Sequence, residues 1–126
     1  MENKEIFDFF KSIVDQDRDE IVICNLDHDI LYMNPQAVKN YAKWGGAALV
    51  GKNLFNCHNP QSQEKIRKVM EWFAASEDHN IVHTFYNAKH NEDVYMVALR
   101  AEGKLIGYYE KHESRNKETM TPYDLG

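Results

Sequence analysis

The chain has 126 residues, of which 43% are hydrophobic and 28% are charged, and its formal net charge is -5. This length supports one ordinary core and is too short for two typical domains. Because there is no excess of positive charge to neutralise phosphates, and no apolar run reaches the roughly 20 residues of a membrane span, we expect neither nucleic-acid binding nor membrane association. Two cysteines are too few for a disulfide framework, so a cytoplasmic protein with reduced thiols is predicted.

Residues 1–17 predict an N-terminal amphipathic helix, because their apolar side chains recur at helical spacing. The apolar face comprises Ile6, Phe9, Phe10 and Ile13. Two β-branched runs, Glu20–Leu26 and Ile30–Met33, then predict a hairpin. The Asn-Pro pair that follows is typical of a helix start, so a helix is predicted from Gln36 to Trp44.

The second half of the chain predicts helices followed by a three-stranded meander. Punctuating residues within 47–60 indicate short helical turns, and the apolar spacing of 61–75 predicts a longer helix. Three strand-like runs follow, at residues 80–86, 93–101 and 104–111. We therefore expect an α+β fold over residues 18–113, with one five-stranded antiparallel sheet, helices packed on one of its faces, and a loose polar tail at 114–126.

Three stretches of the first half, taken in order, resemble the PAS domain family. They are Ile21–Asp27, Ile30–Pro35 and Val50–Leu54. Within them Asp27, Asn34 and Ala37 fit the pattern "hydrophobic-x-x-Asp, then strand, then Asn-x-x-Ala" that marks the first hairpin and the next helix of PAS domains. The resemblance covers about residues 18–113 and agrees with the predicted element order.

A narrower likeness lies in Gly51–Ser62, which is similar to the "Asn-Cys-His-Pro" stretch of a bacterial PAS subgroup often fused to hemerythrin-like domains. This chain departs from that stretch because Asn59 separates His58 from Pro60. The likeness directs attention to the pair Cys57 and His58.

The PAS resemblance implies a sensory or interaction module with a PAS-like sheet and a pocket between the sheet and its helices. It implies a homodimer formed through the N-terminal helix and the outer sheet face, here with Ile6, Phe9, Phe10 and Ile13 at the interface. The signal would pass to a separate protein partner. We expect no enzyme activity, because the chain contains none of the nucleophile-elbow, phosphate-loop or zinc-protease motifs.

The resemblance and the alternation of the strands together predict a ligand pocket. Its residues are Leu54, Phe55, Cys57, His58, Met70, Phe73, Tyr95, Val97 and Tyr109. Tyr108 and Tyr109 must face opposite ways, so one of them is expected to look inward. His112 lies at the end of the last strand, and no sequence pattern around it predicts a functional role.

Three functional hypotheses stay open at this point. The first is a small-molecule sensor, and the second is a ligand-free interaction domain with a filled core. The third is a haem-binding redox or gas sensor with His58 as the axial ligand. Alternatively, His58 hydrogen-bonds at the start of the following helix while Cys57 packs as a small apolar residue.

Overall fold

The computed structural model describes residues 2–124, so Met1, Leu125 and Gly126 lie outside it. The helices are α1 (Asn3–Asp15), α2 (Pro35–Asn40) and α3 (Pro60–Ala75). The strands are β1 (Glu20–Asn25), β2 (Ile30–Met33), β3 (Ile81–Asn87), β4 (Glu92–Ala101) and β5 (Lys104–Ser114). Three 3₁₀ turns lie between α2 and α3, at Ala42–Trp44, Gly46–Leu49 and Leu54–Cys57.

The five strands form one antiparallel sheet in the order β2-β1-β5-β4-β3, which confirms the predicted α+β architecture. Strand β5 is central, so its inward side chains contact neighbours from both halves of the chain. Buried residues of the inner face include Val22, Met96 and Tyr108, and they pack against Ile66 and Phe73 of α3. The core therefore lies between the sheet and the helices that follow β2.

Helix α1 lies on the other side of the sheet, beside β1 and β2. Phe10 and Val14 of α1 bound a groove of about 400 Å³ together with Ile23 and Leu31 of the sheet. No residue of α1 is buried, so this helix presents apolar side chains to solvent. In the described part of the chain, no helix has the length and apolar character that crossing a bilayer requires.

Two predicted boundaries were wrong. The helix expected over 36–44 ends at Asn40, because the chain tightens into 3₁₀ turns before a glycine pair with φ of 122° and 54°. The other limit differs by one residue: β5 reaches Ser114, where the polar tail was expected to begin, and the Arg115 guanidinium beyond it donates two hydrogen bonds of 2.7 Å to Asp93. Arg18 and Glu118 form a further ion pair at 2.6 Å.

Asn34 is a fully buried side chain that joins three elements. Its Oδ1 accepts hydrogen bonds from the backbone N–H groups of Ile21 at 2.9 Å and Ala37 at 3.0 Å. Its Nδ2 donates to the carbonyl oxygens of Val14 at 3.0 Å and Asp19 at 2.9 Å. This amide therefore caps α2, fixes the start of β1 and holds the end of α1.

We expect Asn34→Asp to lower the free energy of unfolding by roughly 2–4 kcal/mol, because the change replaces two buried N–H donors with an acceptor that faces two carbonyl oxygens. Asn59→Asp is the matched control, since Asn59 only accepts a hydrogen bond, from the Ser62 N–H, at the exposed start of α3. Urea unfolding of both variants measures the difference. Equal stability of the two variants would contradict the role assigned to Asn34.

Candidate functional site

A cavity of about 260 Å³ lies between α3 and the inner face of β3, β4 and β5. Its apolar walls are formed by Ile66, Phe85, Val94 and Met96. Its polar lining includes Tyr41, His58, Ser62, Glu110 and His112. The cavity is mostly apolar with a few polar groups that converge from different elements, which is typical of a small-molecule site.

A bulge in β3 determines which side chain closes the cavity. His83 pairs with Tyr95, but the next pair is Phe85 with Val94, so Thr84 is the extra residue. A single extra residue reverses the alternation of a strand, and it turns Phe85 toward the same face as Val94. Lys65 of α3 donates a hydrogen bond to the carbonyl oxygen of Thr84 and ties the helix to this bulge.

Glu110 is the buried acid of the cavity. It lies in the central strand β5, is 7% exposed, and lines the cavity. Its ion-pair contact is His58, whose Nε2 lies 4.0 Å from Oε1. Burial raises the pKa of Glu110, against the opposing effect of His58 and His112. A buried carboxylate is costly unless it is paired or hydrogen-bonded.

The imidazole of His58 is fixed by the turn that precedes it. Its Nδ1 lies 3.0 Å from the carbonyl oxygen of Leu54, which leaves Nε2 toward Glu110. The His58 side chain does not cap the following helix, because Asn59 caps α3. The backbone carbonyl of His58 does accept a hydrogen bond of 2.9 Å from Nε2 of Gln63 near the start of that helix. Cys57 is exposed rather than packed.

At the end of the cavity, His112 lies between two carboxylates. Its Nδ1 is 2.8 Å from Oε1 of Glu20 and 3.1 Å from Oε1 of Glu92. Although burial opposes its charge, the hydrogen bonds to Glu20 and Glu92 raise the pKa of His112 to about 9. These three residues also line a second cleft, of about 500 Å³, that shares Tyr41 and His112 with the cavity.

The structure brings only part of the predicted pocket set to the cavity. His58 lines it, whereas four of the other predicted residues belong to the hydrophobic core beside it, namely Leu54, Phe55, Met70 and Phe73. The placement of Tyr95, Val97 and Tyr109 was wrong. They alternate with Val94, Met96, Tyr108 and Glu110, which face inward, so they lie on the outer face of the sheet.

Sequence reasoning missed the polar residues Tyr41, Glu110 and His112 of the cavity, and Glu20 and Glu92 of the adjoining cleft. One signal was present in β5, where Tyr108, Glu110 and His112 stand at alternate positions and so share a face. An acid in the middle of a central strand is unusual unless it has a partner or a function. No local pattern predicts that Glu20 of β1 and Glu92 of β4 lie beside His112, because this depends on strand pairing.

Comparison with protein families gives one match: the family model described as PAS fold matches residues 14–111. No curated protein shows a significant match. Among solved structures, the chain is similar to a C-terminal domain from Streptococcus mutans, with 22% identity, a TM-score of 0.64, and coverage of 86% of this chain and 84% of that chain.

Two further solved structures have the same fold. A PAS domain from Colwellia psychrerythraea is 17% identical, with a TM-score of 0.63 and coverage of 86% of this chain and 96% of that one. A sensory box sensor histidine kinase from Vibrio cholerae is 13% identical, with a TM-score of 0.55 and coverage of 87% and 92% respectively. At these identities the likeness concerns the fold alone.

Glu110→Gln should raise the free energy of unfolding by about 1 kcal/mol at neutral pH, because it removes a buried ionisable group whose charged form is disfavoured by burial. Glu71→Gln, an exposed change on α3, is the control and should leave stability within about 0.5 kcal/mol. Thermal and urea unfolding measure both. Destabilisation by Glu110→Gln would show that the carboxylate is a structural group of the unliganded fold.

Proposed function

Because the chain belongs to the PAS fold family, whose members are sensory and signalling modules, we propose that it binds a small molecule in the cavity between α3 and the sheet. The observation that carries the proposal is the buried Glu110 carboxylate, which lines the cavity and has the imidazole of His58 as its ion-pair contact at 4.0 Å. A ligand with a hydrogen-bond donor would satisfy it. The role is binding and signal transfer rather than catalysis.

The cavity supports a particular class of ligand. Its volume of about 260 Å³ is just below the usual range of about 300–1,000 Å³, so it suits a molecule no larger than a single ring or an amino acid. Ile66, Val94 and Met96 favour a compact apolar body. Glu110 favours an amine, amide or other N–H group at one end of that body.

Haem does not fit the residues of the cavity as they are arranged. An iron bound to Nε2 of His58 would lie on the side where the Glu110 carboxylate stands 4.0 Å away. The cavity of about 260 Å³ is also below the usual range for drug-sized ligands, and haem is not smaller than these. A small ligand can occupy the cavity with Glu110 and His58 where they stand.

Signal transfer is proposed to use α1 and a second copy of the chain. Apolar residues of α1 remain exposed, namely Ile6 at 38%, Phe9 at 59%, Phe10 at 61% and Ile13 at 69%. A helix that leaves several aromatic rings in water buries that surface when it packs against an identical helix. The signal would leave the dimer through this helix to a protein partner in the cytoplasm.

Ser62→Trp should abolish ligand binding, because a large side chain at a cavity-lining position fills the space. Native mass spectrometry of protein incubated with a cellular small-molecule extract should show a bound molecule on wild type and at least about a tenfold lower occupancy on the variant. Gln61→Trp, exposed on the same helix, is the control and should bind as wild type does. An unliganded wild type would favour the interaction-domain alternative instead.

A Phe9→Glu, Ile13→Glu double change should convert the dimer into a monomer in sedimentation equilibrium, because it places two charges in the proposed helix interface. Met120→Glu, which changes an exposed apolar residue outside α1, should leave the dimer intact. Circular dichroism checks that both variants fold. A monomeric wild type, or a double variant that stays dimeric, would contradict this interface.

A further inference from the structure

The triad Glu20, Glu92 and His112 gathers three metal-ligand side chains on the inner face of the sheet. Glu20 is directly opposite His112 in the β1–β5 pairing, and Glu92 is its diagonal neighbour across β4 and β5. One ligand atom from each of the three residues lies within 4.8 Å of the others. The three positions are held by paired strands, so the arrangement is part of the sheet rather than of a loop.

Hydrogen bonding inside the triad is incomplete. The Nδ1 atom of His112 can carry one hydrogen, yet it lies within 3.1 Å of two carboxylate oxygens. Glu20 is 6% exposed, and its Oε2 is buried with no hydrogen-bond partner among residues 2–124. A proton on Nδ1 can therefore serve one carboxylate well, while the second oxygen of Glu20 stays unsatisfied.

A divalent cation can satisfy both carboxylates at once, which a single proton on Nδ1 cannot. Its double charge balances both carboxylates while His112 binds as a neutral imidazole. The unsatisfied Oε2 of Glu20 can then join Oε1 in coordinating the metal. Binding replaces the hydrogen on Nδ1, and that proton leaves to solvent.

The position of the triad leaves room for a metal and its water ligands. All three residues line the cleft of about 500 Å³, which extends past Tyr41 and Trp44 to the surface. Asn40 and Asn116 also line this cleft and offer amide groups to ordered water. Three protein ligands with one open side are the arrangement of an accessible metal site rather than of a closed structural one.

We propose that Glu20, Glu92 and His112 form a binding site for a divalent first-row transition metal, of which Zn²⁺ is the representative. One imidazole with two carboxylates suits zinc or manganese, whereas magnesium and calcium favour all-oxygen sites. The site adjoins the cavity proposed for the small molecule, because His112 lines both, but Glu20 and Glu92 line only the second cleft.

Isothermal titration of chelator-treated protein with zinc sulfate tests the site. Wild type should bind one Zn²⁺ per chain, and magnesium at the same concentration should not displace it. Glu92→Gln and His112→Gln should each weaken zinc binding at least about tenfold. His83→Gln is the matched control, because it removes a histidine that lies 2.8 Å from the carboxylate of Asp93 on the outer face, and it should bind zinc as wild type does.

Zinc-edge X-ray absorption of wild type keeps the test independent of how the variants fold. Only nitrogen and oxygen ligands are expected, whereas a sulfur shell near about 2.3 Å would assign the zinc to a cysteine and overturn the proposal. No zinc binding by wild type, or an equal loss in His83→Gln and His112→Gln, would overturn it as well. Ser62→Trp should keep its zinc affinity within about twofold, which separates failure of this site from failure of the ligand cavity.

Discussion

The amide of Asn34 is the interaction on which the arrangement of the first half of the chain depends. Two donors and two acceptors of the backbone meet at one buried side chain, so the end of α1, the start of β1 and the first turn of α2 cannot shift independently. Because β1 begins at Glu20, the same amide fixes where that carboxylate stands relative to His112. The polar end of the cleft is thus positioned by a residue that never touches it.

Arg100 has the corresponding role at the other end of the sheet. Its Nη2 donates to the carbonyl oxygens of Phe73, Ser76 and His79, and these bonds close the C-terminal end of α3 against β4. Asn34 thus ties α2 to the start of β1, and Arg100 ties the end of α3 to β4. The space between α3 and the sheet remains a cavity because the side chains that line it do not fill it. Glu110 supplies a polar group to its lining. Such a buried carboxylate costs stability, which is a recurrent property of binding sites.

The sequence predicted the order, type and approximate limits of the elements, because apolar periodicity and turn residues are local signals. It placed Tyr95 and Val97 of β4 toward the pocket, and this was wrong, because both faces of the strand are apolar and the pattern does not distinguish them from Val94 and Met96. The pairing of Glu20 with His112 joins opposite ends of the chain, and no local pattern encodes it. The sequence does not predict the bulge at Thr84 either, because Phe85 fits the pattern of a regular strand. The narrower likeness of Gly51–Ser62 stays a prediction.

The two thiols of the chain differ in their exposure to solvent, and therefore in their reactivity. Cys57 is exposed at the end of the 3₁₀ turn that carries His58, whereas Cys24 is buried, and burial raises its pKa to about 12. Since the thiolate is the form that reacts with alkylating reagents, Cys24 is protected in the folded protein. The natural sequence therefore offers one addressable position beside the cavity, where a fluorophore or spin label could follow occupancy without an engineered cysteine.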